Sequence, residues 1–131
     1  MQISNEQCYD PSVVAILPMG FCYPGKGTPG DLPPRPECGP LWHDRLLDQL
    51  PNLELIMLAG LCAHAAYLGK TRKKTLREPV RSFETYLPRH FALPHPSWRS
   101  RLFMSKNSWF EADVLPALRS RVTGALTPES D

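Results

Sequence analysis

Between positions 18 and 40 the chain carries seven of its fifteen prolines and five of its eight glycines. Proline lacks an amide donor and glycine weakens any regular element, so neither helix nor strand is expected to run through this stretch. It divides the chain, and what is regular must lie on either side of it. Ahead of it stands Val13-Val14-Ala15-Ile16-Leu17, wholly apolar and largely β-branched, which predicts a buried strand of a parallel sheet. A long loop at the carboxyl end of such a strand is where α/β folds keep binding groups.

Beyond the loop the pattern alternates. Pro36 and Glu37 suit the first turn of a helix, and Leu41, Trp42, Leu46, Leu47 and Leu50 recur at helical spacing, with His43, Asp44, Arg45, Asp48 and Gln49 on the other face. Residues 53–59, all apolar except Glu54, predict a second strand ended by Gly60, and the alanine-rich segment 61–68 a helix closed by Gly69. Residues 78–87 predict a short helix with Pro79 in its first turn, and Phe91-Ala92-Leu93 a third strand. Ser108-Trp109-Phe110-Glu111 fits a capping box for a helix reaching Val122, with Phe110, Val114, Leu115, Leu118 and Val122 on one face. Pro116 inside it predicts a kink or a late start, and the tail from Thr123 is expected to fray. Strand and helix in alternation imply a single α/β domain over residues 1–131, three-layered α/β/α around a short parallel sheet.

Composition narrows the function classes. A chain of 131 residues with a net charge of +2 is one domain's worth, and the charge alone does not identify a nucleic-acid binder. Its distribution is more suggestive: residues 70–74 form one basic cluster, and Arg89, His90, Arg99, Arg101 and Lys106 form another spread along the chain. No run is long and apolar enough to span a bilayer, and residues 1–10 lack a secretion signal, so a cytoplasmic location is expected. There Cys8, Cys22, Cys38 and Cys62 are expected as free thiols or metal ligands rather than disulfides. The signatures of nucleoside triphosphate, dinucleotide, serine-hydrolase and zincin sites are absent from the sequence.

One segment has the composition of a working site. In Leu93-Pro94-His95-Pro96-Ser97-Trp98-Arg99-Ser100-Arg101 the two prolines restrict their own φ and that of the residues before them, which predicts a stiff loop under His95. An imidazole there can stabilise an oxygen that gains negative charge, and the two arginines suit phosphate. The plain alternative is a proline-rich connector with an incidental histidine.

Four motifs in order now carry a resemblance. Pro18-Met19-Gly20-Phe21-Cys22-Tyr23-Pro24-Gly25, Pro36-Glu37-Cys38-Gly39-Pro40-Leu41, Leu55-Ile56-Met57-Leu58-Ala59-Gly60 with its alanine-rich helix, and His95-Pro96-Ser97 resemble the uracil-DNA glycosylase superfamily, most closely its iron–sulfur branch. The resemblance covers residues 13–122. It implies a base-excision-repair hydrolase acting on uracil or a related damaged base in DNA, with His95 as partner of the departing uracil oxygen. Pro18, Met19 and Gly20 would lie against the base, and Pro96 and Ser97 would approach the minor groove. Trp98 is either the wedge that holds the gap of an extruded base or a cover for the core edge. Arg99 and Arg101 either bind phosphates or form a solvated loop. A bacterial protein of this kind would be nucleoid-associated.

The resemblance also places Cys22 and Cys38 as two of the four thiolates of a 4Fe–4S cluster. Only Cys8 lies upstream, in no C-x-x-C, so a complete cluster is expected only in a longer form. A zinc site using Cys22, Cys38 and His43 is the alternative, although the spacing matches no common template. Two departures stand out. Pro18 or Met19 occupies the place of an asparagine that reads the uracil edge, and nothing before Val13 corresponds to the Gly-rich loop that opens the superfamily. The expectation is therefore a domain truncated at its amino end, prone to self-association through an uncovered sheet edge. A catalytically inactive DNA-binding or cluster-bearing relative is the competing function.

Overall fold

The computed structural model describes residues 4–28, 30, 32–68, 75, 77–96 and 99–126, with Arg99 described by its backbone alone. The chain divides into two compact units, Met1–Ala15 with Glu54–Asp131, and Ile16–Leu53.

The first unit opens with α1, Asn5–Cys8, where Ser4 Oγ accepts the Gln7 N–H at 3.1 Å and Gln7 Oε1 accepts the Ser4 N–H at 3.2 Å. This reciprocal cap satisfies two amides that a helix start leaves bare. The strand expected at residues 13–17 does not form. The Val13 and Val14 amides both turn back to the Asp10 carbonyl at 3.0 Å, and Ser12 donates its hydroxyl and amide to the Asp10 carboxylate at 2.6 and 2.9 Å. The first amides of the apolar run are thus spent on a local turn instead of a ladder, and Ile16 is left 74% exposed. The Ser12 hydroxyl, with the Ser12 amide behind it, holds the Asp10 carboxyl below the usual carboxylate range.

The sheet among the described residues is β1, Ile56–Ala59, paired in parallel with β2, His90–Leu93, in the register Ile56↔His90 to Ala59↔Leu93. Both lie where the apolar runs predict them, two of the three expected strands. Parallel strands need a crossover, and α3, Leu61–Leu68, begins it directly after Gly60. Gly69 and the basic cluster at residues 70–74 lie outside the described residues. The chain returns through α4, Arg77–Arg81, and a 3-10 turn at Phe83–Tyr86. Pro79 sits inside the first turn of α4, where its missing amide costs no bond.

Phe91 and Ala92 point to opposite faces of β2 and both are fully buried, so this strand is covered on both sides. Phe91 enters a cluster with Val80, Phe83, Phe110, Val114, Leu118 and Val122. The last four recur every fourth residue on one helical face, as the spacing predicts. They span a wide π-type turn, Phe110–Val114, and α6, Leu115–Leu126. The Ser108 capping box does not form: the Phe110 and Ala112 amides go to the carbonyls of Asn107 and Ser108 instead. The wide turn directly precedes Pro116, whose ring and missing amide a regular helix would not accommodate. Beyond it the helix holds to Leu126, past the expected fraying point at Thr123.

Burial of the His90 ring at the start of β2, with the Arg89 guanidinium as a lesser cause, holds its pKa below the ordinary histidine value of 6.5. The unfolded chain then binds the proton more readily than the fold does. Stability should be fully present above 6.5 and fall as the pH drops below it. Urea midpoints followed from about pH 8 to about pH 5 check this, and His90→Gln should flatten the acid side of the curve.

The second unit holds the proline-rich loop and the helix after it. The loop is ordered by backbone bonds around its glycines, with Leu32 N–H to the Gly25 carbonyl at 2.9 Å and Gly27 N–H to the Gly30 carbonyl at 2.6 Å. A wide π-type turn, Gly39–His43, leads into α2, Asp44–Leu47. The widening changes which side chains face inward. His43, assigned by spacing to the polar face, is 5% exposed, while Leu41 and Trp42, assigned to the apolar face, are 56% and 48% exposed. Among the described residues no helix is long and apolar enough to cross a membrane.

Candidate active site

The carboxyl ends of β1 and β2 lie side by side. The Gly60 amide donates to the Leu93 carbonyl at 3.0 Å, which carries the ladder one step past β1 to the last residue of β2. The chain then leaves β1 through Gly60 and β2 through Pro94. Gly60 is buried at φ +94°, a conformation glycine adopts without the penalty a side chain would bring. A Cβ on it would stand 3.3 Å from the His95 Cβ and 3.5 Å from its Cδ2. The turn after one strand therefore backs the imidazole on the loop after the other. His95 and Pro96 are exposed and Pro94 is half-buried, so the ring stands at the surface.

Under this turn lies His64 in the first half of α3, with no exposed surface. Its Nε2 lies 3.1 Å from the Leu58 carbonyl and 3.0 Å from the Leu93 carbonyl. Both partners are acceptors, so Nε2 carries the proton and donates to both. Its own amide donates to the Gly60 carbonyl at 3.1 Å. One buried ring thus joins the ends of both strands. From the sequence this histidine is one more residue of an alanine-rich helix. The available signal was its place four residues after the strand-ending glycine, in a segment otherwise almost free of polar side chains.

After the His95 loop comes α5, Arg99–Lys106, a helix that the proline-rich segment before it does not predict. Arg101 is exposed on its first turn, so the arginine pair is helical rather than part of the loop; Ser97 and Trp98 lie outside the described residues. The far end of α5 is fixed by Asn107, 7% exposed. Its Nδ2 donates to the Phe103 carbonyl at 2.8 Å, and its Oδ1 accepts the Arg77 Nε–H at 2.7 Å. Arg77 and Arg81 in turn lie over the Trp109 ring, at 5.6 and 5.0 Å from its centroid. Asn107 also escaped the sequence reading, since a lone asparagine before a helix resembles any loop residue.

The remaining candidates belong to the second unit. The Pro18 carbonyl accepts the His43 Nε2–H at 2.9 Å, and Phe21 packs on the His43 ring at a centroid distance of 5.8 Å. The methyl group of Met19 lies 3.5 Å from the Cβ position of Gly39. Gly20 packs on Pro34 so closely that a Cβ would stand 3.0 Å from the proline Cβ. Cys22 is exposed and Cys38 half-buried, both as free thiols. Among the described residues no three His, Cys, Asp or Glu side chains converge, and two thiols cannot complete a four-iron cluster. His43, the third donor of the alternative zinc site, has its Nε2 committed to Pro18.

The chain thus joins a parallel β–α–β pair with a proline-braced histidine at its carboxyl end to a separate proline- and glycine-rich unit with a buried histidine. A family model described as the uracil DNA glycosylase superfamily matches residues 1–119, starting ahead of Val13 and running through both units, and the chain belongs to that superfamily.

Proposed function

We propose that this chain hydrolyses the N-glycosidic bond of uracil or a related damaged base in DNA, with His95 stabilising the departing base. The observation that carries the reading is the exposed imidazole at the carboxyl end of the parallel pair, backed by Gly60 and set between two prolines. When the bond between the sugar C1′ and the base nitrogen breaks, the bonding pair leaves with the base and negative charge gathers on its oxygen. A ring N–H held against that oxygen lowers the barrier, water adds to C1′, and the water's remaining proton balances the base. Extruding the base from a duplex costs roughly a few kcal/mol, which single-stranded substrate avoids. Arg101 and Arg99 at the start of α5 would hold phosphates beside the loop, and Trp98 would fill the vacated space.

A second reading has one observation in its favour. Pro18-Met19 stands where the resemblance expects an asparagine, and neither side chain offers the paired hydrogen bonds that read uracil. On that reading the chain binds DNA without base chemistry. Incubation with uracil-containing and thymine-containing single-stranded DNA, followed by alkali, separates the two. Strand breaks at uracil alone support the hydrolase. Intact strands, with binding that weakens steeply as salt rises, support the binding module. Self-association through an uncovered sheet edge is part of the same proposal. A sedimentation coefficient that rises with protein concentration is its expected sign, and a constant monomer value would contradict it.

A further inference from the structure

We propose that His64 is the positioning residue for the His95 loop: it acts through backbone, by holding the peptide from which that loop departs. For its effect on catalysis this rests on the glycosylase reading; for its effect on the His95 ring it does not.

The argument starts from what the two prolines take away. Neither Pro94 nor Pro96 has an amide hydrogen, so of the three residues after Leu93 only His95 keeps a backbone donor with which a ladder could hold the loop. The Leu93 carbonyl is the last strand group before His95. It accepts two donors, the Gly60 amide at 3.0 Å and the His64 Nε2–H at 3.0 Å. The same Nε2–H reaches the Leu58 carbonyl at 3.1 Å, and the His64 amide holds the Gly60 carbonyl at 3.1 Å. Gly60 is the residue whose Cα face lies against the His95 side chain. Both backbone segments that touch or carry His95 are therefore tied to one residue, by its ring at Leu58 and Leu93 and by its amide at Gly60.

Packing alone does not require a histidine at this position. A leucine would fill a fully buried place in an alanine-rich helix without bringing a polar ring into the interior, where it must be hydrogen-bonded to be tolerated. The bonds that His64 makes go to the ends of both strands, at the point where the candidate site begins.

The test compares the full chain with His64→Leu, His64→Gln and His95→Ala. Glutamine carries an amide nitrogen at about the reach of Nε2, and leucine carries no donor. Single-turnover excision of uracil from single-stranded DNA gives the rate at saturation, and DNA affinity is measured separately. Imidazole NMR signals of His95 are recorded without substrate. His64→Leu should lower the saturated rate about 10–100-fold and DNA affinity by much less, because the loop that carries His95 is displaced while the phosphate-binding arginines lie beyond it on α5. The His95 signals should shift and broaden, and His64→Gln should restore both rate and signals. A folded His64→Leu protein with the wild-type rate and unaltered His95 signals would overturn the proposal. If the wild-type chain releases no uracil, the glycosylase reading falls, and the His95 signals alone decide: a shift in His64→Leu rescued by His64→Gln supports the positioning role, and no shift ends it. If His64→Leu does not fold, His64→Asn replaces it, one methylene too short to span both carbonyls. Identical His95 signals in the asparagine and glutamine variants would then refute the idea.

Discussion

His95→Ala is expected to slow uracil release from single-stranded DNA by about 10²–10³-fold, the loss seen when a single preorganised donor to a developing oxyanion is removed. The ring is exposed, so its deletion leaves no cavity and the melting temperature should stay close to that of the parent chain. That combination separates a catalytic loss from a folding loss. DNA affinity should also hold, since the phosphate contacts would come from arginines on α5. An alanine variant that releases uracil at the parental rate would remove His95 from the chemistry and with it the proposed mechanism.

Phe91→Ala is expected to cost about 3–5 kcal/mol of stability, the usual range for deleting a buried aromatic ring. Phe91 has no exposed surface, sits at the centre of the cluster formed by α4, the 3-10 turn and α6, and stacks on Phe83 with ring centroids 5.0 Å apart and planes 12° from parallel. Its neighbours are held by backbone ladders and helix bonds, so they cannot close the space it leaves. Against a typical total of about 5–15 kcal/mol, this is a large fraction of the stability, and at the low end of that range it would leave much of the chain unfolded. Urea unfolding followed by fluorescence measures it. A loss under about 1 kcal/mol would mean that the cluster is not the cooperative core. Because β2 carries both Phe91 and the loop to His95, the variant should lose excision together with folding, in contrast to His95→Ala.

The elements visible in the sequence are those whose signal is local. The runs ending at Gly60 and Pro94 are short, apolar and bounded by breakers, and they form the paired strands among the described residues. The four-residue recurrence from Phe110 to Val122 marks the face buried on the core. Residues 13–17 carry the same strand signal and form none: the Asp10 carbonyl captures the Val13 and Val14 amides that a ladder would need. An apolar run announces what it could bury, but not whether a partner strand is there to receive it. The phase near Trp42 departs from the expected one for a related reason: Leu41, Trp42 and His43 lie within a π-type turn, which breaks the 3.6-residue period, and no composition marks such a turn. The α5 helix escaped because its apolar side chains make no strong stripe and the prolines before it suggested more loop.

By itself the sequence determined the β–α–β order, the proline-braced setting of His95 and the four motifs that resemble uracil-DNA glycosylases. These follow from periodicity, from breakers and from residue types that restrict their own backbone. Only the tertiary structure decided that Gly60 lies against His95, that the His64 ring joins the Leu58 and Leu93 carbonyls, and that the helical face near Trp42 turns His43 inward. Those facts depend on parallel pairing between segments more than thirty residues apart, and no local pattern encodes the partner that a buried donor will find.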